Sequence, residues 1–127
     1  MNHKRRLSLQ QDDARELRLP DGARLAYWIR GRGRPMLLLN GFVCSTHYWP
    51  IWIDHFSATN RQIIWDYRGY GLSPMPPILP ESLAVCAEDA AALLTAEAQG
   101  PAVIIGHSMG AQVALDLYRL QDRKSVV

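Results

Sequence analysis

The chain has 127 residues, 48% hydrophobic and 20% charged, with a formal net charge of +2. That is enough apolar material for one globular domain with a core, and too little excess charge to argue for nucleic-acid binding. No apolar stretch approaches the length of a spanning helix, and the first residues lack the hydrophobic segment of a secretory signal, so no membrane association and a cytoplasmic location are expected.

Basic charge gathers near the start in Lys4, Arg5, Arg6 and Arg15, and residues 1–14 read as an unanchored polar tail. Arg15 to Leu19 and Arg24 to Ile29 read as two strands joined at Pro20-Asp21-Gly22, a turn signal that suits a hairpin. Met36 to Leu39 follows as a continuous apolar run, the pattern of a strand buried on both faces. Thr46 to Phe56 suits a helix, with Pro50 either in its first turn or kinking it. Ile63 to Trp65 reads as another short buried strand, and Pro74, Pro76, Pro77 and Pro80 mark a loop. Leu83, Cys86, Ala90, Leu93 and Leu94 then trace a helical face that ends at Gly100-Pro101. Strand and helix alternate, which implies an α/β protein with a parallel sheet covered on both sides. Cys44 and Cys86 lack metal-ligand or C-x-x-C spacing and read as idle or buried thiols; no metal and no cofactor are expected.

The strongest chemical signal is Gly106-His107-Ser108-Met109-Gly110, set directly behind the apolar run Ala102 to Ile105 and ahead of Ala111, Ala114, Leu115 and Tyr118 at helical spacing. A bare G-x-S-x-G arises by accident in roughly 3 of 100 chains of this composition, so the strand before and the helix after carry the argument. A serine at the tip of a strained strand-to-helix turn leaves no room for side chains two residues to either side, which is what the two glycines supply. Such a serine suits nucleophilic attack on a carbonyl carbon.

Three segments now stand in order: Met36 to Leu39 leading into Asn40-Gly41-Phe42, then Asp66-Tyr67-Arg68-Gly69-Tyr70-Gly71-Leu72-Ser73, then the serine turn. Together they resemble the N-terminal half of an α/β-hydrolase, over residues 15–121. The resemblance implies a mostly parallel sheet with helices on both faces, truncated after the helix that follows Ser108. It implies Ser108 as nucleophile, with the backbone N–H groups of Met109 and Phe42 as the oxyanion hole. The family usually has His-Gly where this chain has Asn40-Gly41; because the donor is a backbone group, the change is expected to be tolerated. Asp66, Arg68 and Ser73 are expected to hold their loop rather than to catalyse, and Tyr67 and Tyr70 to pack.

The family's histidine follows its last strand, with an Asp or Glu upstream of it, and none of the four histidines here fits that place. His107 adjoins Ser108 on the turn and should point away from the hydroxyl; His3 lies in the tail, and His47 and His55 lie around the first helix. Without its histidine a serine triad loses about 10⁶ in rate, so the isolated chain is expected to be inactive. Asp122 to Val127 can be back-translated into one frame of a common sequencing adapter, so the natural part of this sequence is expected to stop near Gln121, with the remainder artefact and the gene product a complete hydrolase seen only in part. Two functions follow: a serine esterase-type hydrolase of a small-molecule ester, thioester or amide acting through an acyl-enzyme, or a non-catalytic α/β-hydrolase-like binding protein. An aspartate-nucleophile dehalogenase or epoxide hydrolase is disfavoured, because serine occupies the turn.

Overall fold

The structure, a computed structural model, describes residues 9–41, 46, 49–76 and 82–121. Its elements run β1 (Arg15–Arg18), β2 (Arg24–Arg30), β3 (Arg34–Leu39), α1 (Pro50–Phe56), β4 (Asn60–Trp65), α2 (Ala84–Glu97), β5 (Val103–Gly106) and α3 (Met109–Leu120). The five strands form one sheet in the order β1-β2-β4-β3-β5. It is mixed rather than purely parallel: β1–β2 and β2–β4 are antiparallel, while β4–β3 and β3–β5 are parallel. The hairpin makes β1–β2 antiparallel, and a second tight reversal between β2 and β3 sets β2 against the direction shared by β3 and β4, whereas each parallel pair needs a crossover connection.

At the hairpin tip the Ala23 N–H donates to Asp21 Oδ1 at 3.1 Å and the Gly22 N–H to the Leu19 carbonyl at 2.9 Å. β3 is buried on both faces from Met36 to Leu39, as a strand between two parallel neighbours must be. Pro35 fits inside this strand because its register with β5 begins only at Met36. β4 is longer than its apolar core suggested, since Asn60, Arg61 and Gln62 extend the ladder with β3. Gln62 is fully buried there and donates through Nε2 to the Ile53 carbonyl at 3.0 Å. The first helix starts at Pro50 rather than Thr46, with proline in the opening turn where its missing N–H costs nothing.

Two cores flank the sheet. The larger, built on Leu25, Leu37, Leu39, Ile63 and Trp65, packs against α2 and α3 through Ala90, Leu93, Val113 and Leu117. The smaller joins Met36, Leu38 and Ile64 to Trp49 and Ile53 at α1. α3 turns Gly110, Val113 and Leu117 inward and leaves Leu115 and Tyr118 exposed, so its core stripe is rotated from the spacing seen in the sequence. β5 forms one edge of the sheet, and Val103, Ile104 and Ile105 are only half-buried.

The polar stretch expected to be a loose tail is docked from residue 9 onward. Leu9 packs on the smaller core, the Gln10 carbonyl accepts from Trp28 Nε1 at 2.9 Å, and Asp13 pairs with Arg30 at 2.7 Å. Arg15 is likewise anchored, 3.1 Å from Glu97. Among the described residues no helix is long and apolar enough to cross a membrane.

Candidate active site

Ser108 sits between the end of β5 and the first residue of α3 with φ 55° and ψ −115°. Among the described residues it is the one non-glycine with positive φ, a conformation that costs an L-residue on the order of 1–3 kcal/mol. Tertiary packing holds it there. A Cβ on Gly106 would strike the Gly110 carbonyl, with the Ala111 nitrogen 2.7 Å away, and a Cβ on Gly110 would lie 2.8 Å from the Leu39 carbonyl carbon. Only hydrogen fits at either place, so the helix start can seat itself on the ends of β3 and β5. The His107 N–H adds a bond to the Leu39 carbonyl at 3.0 Å.

The Ser108 side chain is exposed and makes no cap bond to the helix amides. An ordinary helix-capping serine would turn its oxygen onto those amides, so the hydroxyl here is left available. Behind it, the Gly110 and Ala111 N–H groups donate to the His107 and Ser108 carbonyls at 2.9 Å. Met109 opens α3, where backbone N–H groups face outward and the helix dipole favours negative charge. Phe42, Cys44 and His47 lie outside the described residues, as does His3.

Asn40 marks the other half of the site, at the end of β3. It is 2% exposed, yet every polar atom of its amide is used: Nδ2 donates to the Trp65 carbonyl at 2.7 Å and Oδ1 accepts from Trp49 Nε1 at 2.6 Å. Its backbone carbonyl accepts from the Tyr67 hydroxyl at 2.7 Å. Burial pushes the Tyr67 phenol above its usual range, so it stays protonated and donates. The sequence marked Asn40 only as a departure from the family; nothing local to it revealed the three partners.

The loop after β4 lies at the same end of the sheet. Asp66 accepts the Leu72 N–H at 2.9 Å, and the Ser73 hydroxyl donates to the Asp66 carbonyl at 2.7 Å while accepting the Ala26 N–H at 2.9 Å. Arg68 grips Asp89 of α2 through Nε and Nη2 at 2.6 and 2.9 Å, and reaches Asp21 in the hairpin at 2.6 Å. These groups hold the fold together, as expected for them, and Tyr67 and Tyr70 pack edge to face. Beside the serine turn, Trp49, Ile51, Trp52, Ile105, Gly106 and His107 line an apolar groove of about 400 Å³.

Of the two described histidines, His55 is exposed on α1 against Phe56, and His107 lines the groove. Cys86 is half-buried, and burial raises its thiol to about 11, so it is protonated at neutral pH. Among the described residues no cluster of His, Cys, Asp or Glu could hold a metal ion.

Comparison with known proteins places this geometry. The sequence profile of the Alpha/beta hydrolase family matches residues 36–127. A protein described as a carbamate hydrolase, RutD, of Azorhizobium caulinodans is 33% identical over 95 residues, covering 75% of this chain and 36% of that protein. Epoxide hydrolase 3 of Xenopus tropicalis is 31% identical over 102 residues, covering 77% of this chain and 28% of the relative. Among solved structures, the esterase RhEst1 from Rhodococcus sp. ECU1013 superposes with a TM-score of 0.80 at 31% identity, over 90% of this chain and 43% of the esterase. The chain thus spans about a third of the curated relatives' length. The profile match, the strand-turn-helix setting of Ser108 and the shared fold agree: this chain belongs to the alpha/beta hydrolase family.

Proposed function

We propose that Ser108 is the nucleophile of a serine hydrolase that cleaves a small-molecule ester, thioester or amide through an acyl-enzyme. The observation that carries this reading is the exposed hydroxyl on a strained turn, with no cap bond to quench it. Its Oγ attacks the carbonyl carbon as a histidine takes the hydroxyl proton. The carbonyl oxygen becomes an oxyanion that accepts from the Met109 N–H and the Phe42 N–H. Collapse expels the alcohol, thiol or amine, which takes up the proton, and water then releases the acid by the same steps in reverse order.

With His55 exposed on α1 and His107 next to Ser108 on the turn itself, this reading assigns the base and its acidic partner to sequence beyond this chain. The relatives' greater length supports that assignment. Residues 1–127 alone are accordingly read as an N-terminal portion with little turnover, and the whole protein as a cytoplasmic enzyme acting on small molecules.

The test is reaction of the whole protein with a fluorophosphonate, followed by intact mass and peptide mapping. The expected result is one adduct, on Ser108, together with hydrolysis of a chromogenic ester. A folded whole protein that gains no adduct and turns over no ester would point instead to a binding protein.

A further inference from the structure

We propose that Asn40 is a positioning residue for acyl transfer: its amide ties the Trp49 indole to the ends of β3 and β4, and so holds the chain leaving β3 at Gly41 in place against the Ser108 turn. This rests on the hydrolase reading above and deepens it, because it assigns a role at the same site to a residue that touches neither substrate nor nucleophile.

The segment that leaves the sheet after Asn40 returns at Trp49, the residue before α1. The bond from Trp49 Nε1 to Asn40 Oδ1, at 2.6 Å, therefore closes the two ends of that segment on each other. The bond from Asn40 Nδ2 to the Trp65 carbonyl, at 2.7 Å, fixes the closed pair to the last residue of β4. The same strand end holds the serine turn, since the Leu39 carbonyl accepts the His107 N–H at 3.0 Å and a Cβ on Gly110 would lie 3.0 Å from the Asn40 carbonyl oxygen. A shift of Asn40 thus moves the strand end on which the Ser108 turn is seated.

An asparagine suits this place because it offers one acceptor and two donor hydrogens on a rigid plane, and both neighbours demand opposite polarity. In a nearly dry setting neither bond can be replaced by water without movement. Trp49 also walls the apolar groove, so the same amide sets that wall.

The test uses the whole protein with Asn40→Ala, Trp49→Phe and the double variant, read by ester turnover, fluorophosphonate labelling rate and thermal melting. Trp49→Phe keeps an aromatic ring while removing the indole N–H and some buried volume; the volume loss is read in the melting temperature and the lost bond in kcat, so this variant still decides the matter if Asn40→Ala does not fold. Each single variant is expected to lower kcat by about 10- to 100-fold with KM changed less than about threefold, as for a misplacement of transition-state donors. The double variant is expected to lose no more than Asn40→Ala alone, because both changes break one linkage. A fall in melting temperature with wild-type kcat in Trp49→Phe, or losses that multiply in the double variant, would overturn the proposal. A wild-type protein that neither labels nor turns over ester overturns the parent reading instead, a different signature.

Discussion

The turn after β4 and the turn after β5 leave parallel strands at the same end of the sheet, and both are rich in glycine and polar side chains. In the first, Gly69 and Gly71 take the positive φ angles, while Asp66, Arg68 and Ser73 aim their polar atoms inward at backbone or at Asp89. In the second, the positive φ falls on Ser108, and its glycines are needed for close approach rather than for their own dihedrals. The hydroxyl is thereby kept out of the internal hydrogen-bond network. Polarity at a strand end is not what sets Ser108 apart; its strained backbone and uncommitted hydroxyl are.

The contrast can be broken most forcibly at Ser108. Ser108→Ala in the whole protein is expected to lower ester turnover about 10⁶-fold and to abolish fluorophosphonate labelling, with little change in melting temperature. Ser108→Gly should lose the same activity yet gain about 1 kcal/mol in urea unfolding, because glycine accepts the strained dihedrals. No gain would mean the strain is not stored where the geometry puts it. Next in size is Gly110→Ala, whose methyl would meet the Leu39 backbone. A loss of about 3 kcal/mol in stability and at least a 100-fold fall in kcat are expected, since the serine moves with the helix start.

Ser73→Ala sharpens the comparison from the other side. It removes the partner of the Ala26 N–H and one bond to the Asp66 carbonyl in a buried setting, for a loss of about 1–3 kcal/mol by urea titration. Turnover per folded molecule should stay within about twofold of wild type; a large fall in kcat would give that loop a part in the chemistry. The smallest effect lies in the frame behind both turns, at Glu97. Burial would raise its carboxyl, but bonds from Arg61, Tyr27 and Arg15 hold it below the usual 4.5. A depressed carboxyl stabilises the fold above that pH and loses the contribution as pH falls through its folded value. Urea midpoints measured from about pH 6 down to about pH 3 should therefore fall less steeply in Glu97→Gln than in wild type.

Much of this was legible before any coordinates. The hairpin, the buried β3, α2 and the serine turn all lie where runs of apolar residues meet Pro or Gly, because each depends on neighbours within a few positions. Residues 60–62 of β4 were not legible, since Asn60, Arg61 and Gln62 look like loop; Gln62 becomes strand because β2 and β3 pair with it on either side, and the Ile53 carbonyl accepts from its buried amide. Asn40 was visible as an oddity and not as a junction, because its partners lie just before α1, on β4 and in the loop beyond.

By itself the sequence determined the order of strands and helices, the places where the chain turns, and the seat of Ser108 between two glycines. Periodicity and local sterics act over a few residues, and they suffice for that. Only the tertiary structure decided the mixed order β1-β2-β4-β3-β5, the inward stripe of α3 and the docking of residues 9–15. It also decided that Arg68 would clamp partners 21 and 47 positions away while the Ser108 hydroxyl stayed open. Pairing, burial and strain depend on which distant surfaces meet, and that is a property of the packed chain rather than of any segment.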